Sequence, residues 1–200
     1  LGLKQKVWSI SEIDGNLFIG GNSGTMIYDN FGKFTKISDV GGGTDILRLR
    51  NGDLVQATFA PIYSFKRNSS SWEQEIYIKN FYVPALNLLE DHLGNLWVEH
   101  IDQGLYHVSG REQTDEIRFY RSLEGNSTPE KIHVNEFQGR ILFSNDKQFY
   151  VYDDINDKII PYRKLNDCVV GYPDIHNVVT ASDGTLWVEF ADGRVVSVEI

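Results

Sequence analysis

The chain has 200 residues, 41% of them hydrophobic and 12% aromatic, which is enough apolar material for a buried core. Its 19 basic and 28 acidic residues give a formal net charge of −9, which argues against a nucleic acid partner, because binding a phosphate backbone needs a basic surface. A single cysteine, Cys168, excludes an internal disulfide framework and a multi-cysteine metal site, and no apolar run is long enough to span a membrane.

The first residues, LGLKQKVWS, contain neither an initiator methionine nor the apolar stretch of a signal peptide. We therefore expect the sequence to be a segment of a longer chain.

Five similar stretches follow one another along the chain. Each contains a glycine, then a small or polar residue, then an aliphatic residue, and successive glycines are 37, 42, 45 and 45 residues apart. These anchors are Gly15-Asn16-Leu17, Gly52-Asp53-Leu54, Gly94-Asn95-Leu96, Gly139-Arg140-Ile141 and Gly184-Thr185-Leu186.

Each repeat contains short runs rich in Val, Ile, Tyr, Phe and Trp, bounded by Gly, Asn and Asp, as β-strands are. In chain order the predicted strands are 7–13, 17–21, 25–29 and 33–38; 46–50, 54–58, 61–65 and 72–78; 86–90, 96–100, 105–108 and 116–122; 132–137, 141–145, 148–152 and 157–163; and 175–181, 186–190 and 194–198. No window has convincing helical periodicity.

Four antiparallel strands in each repeat of about 40 residues are typical of a β-propeller, in which neighbouring sheets bury their faces against each other. The sequence therefore predicts an all-β fold with four full blades and a fifth that lacks its last strand. The predicted blades cover about 7–44, 45–85, 86–130, 131–174 and, incompletely, 175–200.

Two local features support these blades. The pairs Asp14-Gly15, Asn51-Gly52 and Asp183-Gly184 are typical of the tight turn of a β-hairpin. Phe18, Trp97 and Trp187 occupy the same place in three repeats, where a large flat side chain can fill the wedge between adjacent blades. We expect all three to be core residues.

The third and fifth repeats, EDHLGNLWVEHIDQGLYHV (90–108) and SDGTLWVEFADGRVVSV (182–198), resemble the D-x-x-G-x-L-W-[IV]-G-T repeats of two-component regulator propellers. VWSISEIDGNLFIGGNSGTMIYD (7–29) is similar to an early blade of the same proteins. Where the family usually has Gly-Thr, this chain has Glu99-His100 and Glu189-Phe190, which either face a ligand or reflect drift in a loop.

The resemblance implies a sensor. Such propellers form the periplasmic region of hybrid two-component histidine kinases in glycan-degrading gut bacteria, and they detect oligosaccharides. Family members carry two seven-bladed propellers, an immunoglobulin-like domain, a membrane helix and cytoplasmic kinase modules. The partners implied for this segment are an oligosaccharide, the remaining blades and the downstream membrane and kinase modules.

The last blade raises a question of closure. LGLKQK (1–6) is short and mostly polar for a fourth strand of the fifth blade, so we favour an open arc over a ring that this segment closes. An open arc leaves apolar blade faces uncovered, and two copies can cover each other, so a homodimer is a further expectation.

No motif indicates catalysis. The five histidines lack the spacing of a zinc site, and the chain has neither a nucleophile elbow nor a phosphate-binding loop. We therefore predict no catalytic residue, no metal and no cofactor in this segment, although the full-length protein would be a kinase.

Ligand binding fits the fold better. Loops between second and third strands share one face of a propeller with the connections between blades. The residues in these loops are Asn22, Phe59, His100, Asp102, Asn145, Phe190, Asp192, Tyr82, Arg121, Asn126 and Tyr172. We favour Tyr82, His100, Asp102 and Tyr172 as ligand-binding residues, since sugars bind to aromatic faces and planar polar groups. Two alternatives stay open: a lyase or hydrolase that acts on glycans, and a scaffold propeller that binds proteins.

Overall fold

A computed structural model describes residues 4–69, 71–109, 116–125 and 128–198. Blade 1 contains β1 (Val7–Ile13), β2 (Asn16–Gly21), β3 (Gly24–Tyr28) and β4 (Phe34–Ser38), and blade 2 contains β5 (Asp45–Arg48), β6 (Leu54–Ala57), β7 (Tyr63–Arg67) and β8 (Trp72–Ile76). Blade 3 contains β9 (Ala85–Glu90), β10 (Leu96–His100), β11 (Leu105–Ser109) and β12 (Glu116–Tyr120). Blade 4 contains β13 (His133–Phe137), β14 (Arg140–Ser144), β15 (Phe149–Asp153) and β16 (Lys158–Pro161); after helix α1 (Arg163–Cys168), blade 5 contains β17 (Ile175–Thr180), β18 (Leu186–Phe190) and β19 (Val195–Val198).

The predicted fold is confirmed. Strands that follow each other in sequence pair antiparallel, which gives four four-stranded sheets and one three-stranded sheet among the described residues. These sheets are five blades of a β-propeller, and every strand begins and ends within two residues of its predicted bounds.

The first hairpin shows why the turns fall where they do. Ile13 pairs with Asn16, so only Asp14 and Gly15 connect β1 to β2, and both have positive φ, at 52° and 73°. This is the type I′ conformation, whose twist matches that of the strands it joins.

The described residues up to Glu90 form one compact unit, and those from Asp91 onward form a second. The core of the first unit joins blades 1 and 2 through Phe18, Ile27, Ile37, Ile46, Leu54 and Phe65. The core of the second unit joins blades 4 and 5, where α1 contributes the fully buried Leu165.

The three aromatic residues predicted to fill wedges between blades have different surroundings. Phe18 is buried in the first core, and Trp97 is 0% exposed beneath Phe143 and Tyr152 of blade 4. The prediction is wrong for Trp187, which is 43% exposed. It lies on the face of the last blade of the sequence, and no aromatic ring of the described residues contacts it.

Trp97 and Trp187 also differ in the hydrogen bonding available to the indole N–H. The Asp91 carboxylate accepts a hydrogen bond from Trp97 Nε1 at 3.1 Å, so the indole N–H has a partner inside the protein. The turn before Trp187 has the same backbone hydrogen bonds, but Ala181 takes the position of Asp91. An exposed Trp187 can donate its N–H to water instead.

Helix α1 was not expected, because a run of six residues carries no readable periodicity. It lacks a side-chain N-cap, and tertiary contacts hold it in place. Phe149 N donates to Asn166 Oδ1 at 2.7 Å, and Asn166 Nδ2 donates back to Phe149 O at 3.1 Å. Together with the burial of Leu165, this pair of bonds fixes a helix that is too short to be stable alone.

The segment considered as an outer strand for blade 5 lies partly outside the described residues, which begin at residue 4. Its described part contacts blade 1: Asn22 N donates to Lys6 O at 3.0 Å, and Ser23 N donates to Gln5 Oε1 at 2.6 Å. The open arc and the homodimer stay predictions.

His107 gives the second unit a pH-dependent stability. It stacks on Trp97 with ring centroids 4.1 Å apart, is buried, and its Nε2 has no hydrogen-bond partner among the described residues, although Asp91 Oδ2 lies 3.9 Å away. Burial lowers the pKa of His107, and Arg118 adds to this effect while Asp91, Asp157 and Glu116 oppose it. The native state thus holds a neutral imidazole.

We expect acid to destabilise the protein through this group. Below pH 6.5 the unfolded chain binds a proton that native His107 does not, so the free energy of unfolding falls as pH falls until the native pKa is reached. The slope is at most about 1.4 kcal/mol per pH unit. Urea unfolding of the wild type and of His107→Phe between pH 7 and pH 5 measures it, since phenylalanine retains the stacking. Equal slopes in the two proteins would contradict the assignment.

Candidate ligand-binding site

The loop end of blade 1 carries the start of β1 and the turn between β2 and β3. In an antiparallel sheet the start of the first strand and the turn between the second and third strands lie at the same end. The connection from one blade to the next lies at this end too. In the first unit this end combines Trp8 of β1, Asn22 of the β2–β3 turn and Phe59 of the β6–β7 loop.

Trp8 and Phe59 form a right-angled aromatic pair. Their ring centroids are 4.9 Å apart and their planes meet at 81°. Each side chain is 38% exposed, so both rings contact each other while presenting apolar surface to solvent. We refer to Trp8, Phe59, Asn22 and Lys6 as the aromatic corner.

Hydrogen bonds fix the orientation of Trp8. Its Nε1 donates to Asn22 Oδ1 at 2.5 Å, while the backbone N–H of Asn22 donates to Lys6 O. Because Asn22 uses its Oδ1 for the indole, its Nδ2 group is left as a donor toward solvent.

The loop that carries Phe59 is also held in place. Thr58 Oγ1 donates to Pro61 O at 2.8 Å and accepts from Ala60 N at 3.0 Å. Gly42, at φ +78°, lies against the ring, where an added Cβ would come within 2.6 Å of Phe59 Cδ2. A glycine at position 42 is therefore what allows Phe59 to occupy this place.

A lysine ammonium completes the corner. Lys6 Nζ lies 3.7 Å from the centroid of the Trp8 ring, within the range of a cation–π contact. Among the described residues no carboxylate forms an ion pair with it, although Lys36 and Arg48 of the same unit each have one.

This arrangement can bind a sugar. An exposed aromatic face can pack against the apolar face of a pyranose ring, and the Asn22 amide can donate to a hydroxyl. The Lys6 ammonium adds donors and a positive charge. No three His, Cys, Asp or Glu side chains of the described residues are grouped so that they could hold a metal ion.

The residues favoured from the sequence are divided between the two units. Tyr82 belongs to the first unit, in the connection between β8 and β9, and is exposed. His100, Asp102 and Tyr172 belong to the second unit. No hydrogen bond or ring contact joins Tyr172 to His100 or Asp102 in the described part of the chain, and their role in binding stays a prediction. Asn126 lies outside the described residues.

His100 organises its own loop. Its Nδ1 accepts hydrogen bonds from the backbone N–H groups of Asp102 and Gln103, each at 3.2 Å. A neutral imidazole that accepts through Nδ1 carries its proton on Nε2. Nε2 is then a donor, suited to a ligand oxygen.

Tyr172 is part of a second aromatic cluster. It stacks on Phe190 with centroids 4.5 Å apart, and the Arg194 guanidinium lies 4.8 Å from its ring centroid. Arg194 Nε in turn donates to Asp192 Oδ2 at 2.7 Å. A hydrogen bond from the Arg194 backbone N–H lowers the pKa of Asp192, so its carboxylate stays charged beside the guanidinium.

The sequence interpretation included Asn22 and Phe59 among the loop residues but missed Trp8. The sequence predicts the run VWSISEI only as the first strand of its repeat. The signal was present, because strict alternation places Trp8 and Ile10 on the same face as Glu12, and that face is exposed in β1.

Neither interpretation of Glu99 was right. Glu99 lies within β10 and is buried, with Oε1 3.0 Å from His133 Nδ1 and Oε2 accepting from Val134 N at 3.0 Å. It links blade 3 to the first strand of blade 4. Glu189, at the same place in β18, forms no such link in the described residues.

The described residues form four four-stranded sheets and one three-stranded sheet, each built from strands that are consecutive in sequence. This architecture places the chain among the β-propellers. No family model matches the sequence, and no curated protein matches it. Solved structures are similar to the chain, and because their sequence identities to it are low, this similarity establishes the fold alone.

Three of these structures represent different kinds of protein. Virginiamycin B lyase from Staphylococcus aureus has a TM-score of 0.67 and 10% identity, and the match covers 100% of this chain and 71% of the lyase. The extracellular domain of a protein assigned to the hybrid two-component systems of B. thetaiotaomicron has a TM-score of 0.65 and 16% identity over 98% of this chain. PorZ, a surface component of the type-IX secretion system of Porphyromonas gingivalis, has a TM-score of 0.63 and 14% identity over 96% of this chain.

The second of these neighbours is of the kind that the repeat motif resembles. This chain spans 28% of that extracellular domain and 32% of PorZ. The described residues contain no helix with the length and apolarity that a membrane crossing requires.

Proposed function

We propose that this chain is a ligand-binding segment in the periplasmic sensor region of a hybrid two-component histidine kinase, and that it binds oligosaccharides. The segment itself performs no chemistry. Ligand binding at the loop end of the blades is communicated to kinase modules elsewhere in the protein.

The observation that carries this proposal is the aromatic corner. Trp8 and Phe59 are fixed by hydrogen bonds and by Gly42, yet each leaves 38% of its surface exposed. Large rings held rigid at a partly exposed site lose little conformational entropy when a ligand packs on them. The repeat motif and the fold shared with a two-component extracellular domain support the sensor class.

A glycan lyase is the second candidate, because the fold is also that of virginiamycin B lyase. A lyase needs a general base within reach of the proton it removes. His100 does not fit this role, since its Nδ1 already accepts two backbone hydrogen bonds. His133 differs, because its Nδ1 lies 3.0 Å from Glu99 Oε1 and Nε2 is the ring nitrogen left for this role, so the incubations described below decide between the two functions.

Replacing Trp8 with alanine is expected to weaken oligosaccharide binding by at least about 10-fold, as truncation of an aromatic anchor commonly does. Isothermal titration of the 200-residue chain with a panel of plant and host oligosaccharides identifies a ligand, and the same titration with Trp8→Ala measures the loss. Phe31→Ala is the matched control, because Phe31 is an exposed aromatic residue at the opposite end of blade 1. We expect it to bind as the wild type does.

The same incubations separate the two candidate functions. New reducing or unsaturated ends that accumulate at a catalytic rate would establish the lyase and reject the sensor. Binding without turnover, weakened by Trp8→Ala and unchanged by Phe31→Ala, supports the sensor. Binding that Trp8→Ala leaves unchanged would move the ligand away from the aromatic corner.

A further inference from the structure

We infer that the aromatic corner selects acidic oligosaccharides, with Lys6 as the residue that binds the anionic substituent of the sugar. This inference rests on the proposed function and names the class of ligand. The anionic group is a uronate carboxylate or a sulfate ester, since a lysine ammonium binds either as a point charge.

The position of the Lys6 ammonium is the first argument. Its backbone is tied to the β2–β3 turn by Asn22 N, and its Nζ lies 3.7 Å from the Trp8 ring centroid. The π-face satisfies the ammonium electrostatically from one side and provides no hydrogen-bond acceptor of ordinary strength. The donors on the other side are directed to solvent, where an anion can accept them.

The absence of a competing carboxylate is the second argument. In the same unit Lys36 pairs with Asp39 at 2.5 Å, and Arg48 pairs with Asp14 at 2.6 Å. Lys6 has no such partner among the described residues. A ligand anion therefore does not have to displace an internal one.

The distribution of charge along the chain is the third argument. Residues 1–90 carry nine basic and nine acidic side chains, whereas residues 91–200 carry ten and nineteen. The net charge of −9 thus resides entirely in the second part of the sequence. The aromatic corner belongs to the part that does not repel an acidic ligand by its net charge.

The groups around Lys6 favour an acidic sugar over other kinds of anion. The aromatic corner combines two partly exposed aromatic rings, one amide and a single ammonium above the Trp8 ring. A polyphosphate or a nucleic acid needs several basic residues in a row. A sugar with one acidic group can pack its apolar ring face on the aromatic rings while the Lys6 ammonium binds the acidic group.

The experiment compares matched acidic and neutral ligands on the 200-residue chain. The probes are trigalacturonate and its methyl ester for the carboxylate, and a sulfated carrageenan tetrasaccharide and its desulfated form for the sulfate ester. Titrations are carried out at low and high salt with the wild type, Lys6→Gln, Lys6→Arg and Lys33→Gln. Lys33 is an exposed lysine at the opposite end of blade 1, so its removal changes the net charge equally.

We expect the wild type to bind at least one acidic probe more tightly than its neutral partner, by about 3- to 5-fold, which is the scale of an exposed ion pair. Lys6→Gln abolishes this preference, Lys6→Arg retains it and Lys33→Gln leaves it unchanged. Salt weakens binding of the acidic probe to the wild type more than to Lys6→Gln.

Each of the other outcomes rejects a different part of the proposal. Equal binding of acidic and neutral partners, or a preference that survives in Lys6→Gln, overturns the role of Lys6 while oligosaccharide binding stands. Binding of neutral probes alone overturns the acidic class. No binding of these probes together with no binding of the wider panel overturns the proposed function itself.

Discussion

Replacing Trp97 with alanine is expected to lower the free energy of unfolding by about 3–5 kcal/mol, whereas Trp187→Ala lowers it by about 1 kcal/mol or less. The two tryptophans occupy the same position in the repeats LWVEH and LWVEF. They therefore provide a matched pair within one protein. Only their surroundings differ.

Trp97 is surrounded on all sides. It is fully buried, stacks on His107 at 4.1 Å, and lies edge-on to Phe143 at 4.8 Å and to Tyr152 at 4.9 Å. Its deletion removes this contact and leaves a cavity between blades 3 and 4. It also removes one of four N–H donors from the buried carboxylate of Asp91.

Urea unfolding, followed by far-UV circular dichroism so that loss of a tryptophan does not change the probe, measures both variants. Near-equal destabilisation by the two substitutions would show that Trp187 is packed as Trp97 is. It would thereby contradict the exposed position of Trp187.

This pair also shows how far the sequence predicts the fold. The glycine anchors and the strand composition of each repeat predict the five blades, because pairing between strands that are adjacent in sequence needs only local turns and alternating apolar residues. The burial of one residue in a wedge depends on the next blade. Trp97 and Trp187 share the sequence Leu-Trp-Val-Glu and follow turns with the same backbone hydrogen bonds, but Asp91 accepts the indole N–H of Trp97 and Ala181 has no side-chain acceptor for Trp187.

The candidate site illustrates a second limit. Loop positions can be read from the strand pattern, and so Asn22 and Phe59 were among the predicted loop residues. Their association with Trp8 cannot be read in that way, since it depends on contacts of Trp8 with residues 14 and 51 positions away in the chain. The one local signal is the alternation of β1, which places Trp8 on the same exposed face as Glu12.

Replacing Glu99 with alanine is expected to lower the free energy of unfolding by about 3 kcal/mol, because a buried carboxylate is removed from the buried backbone N–H of Val134 and from the partly buried imidazole of His133. The Val134 N–H loses its acceptor, and His133 loses the group 3.0 Å from its Nδ1. Glu189→Ala, at the same position in blade 5, is the control and is expected to change stability by less than about 0.5 kcal/mol.

The double variant Glu99→Ala/His133→Ala separates the contribution of the Glu99–His133 contact from the other effects of removing Glu99. If the pair links blade 3 to blade 4, the loss in the double variant is smaller than the sum of the two single losses by about 0.5–3 kcal/mol. Chemical denaturation of the four proteins, with Glu189→Ala beside them, provides this difference. Strict additivity would mean that the 3.0 Å contact between Glu99 and His133 contributes nothing to stability.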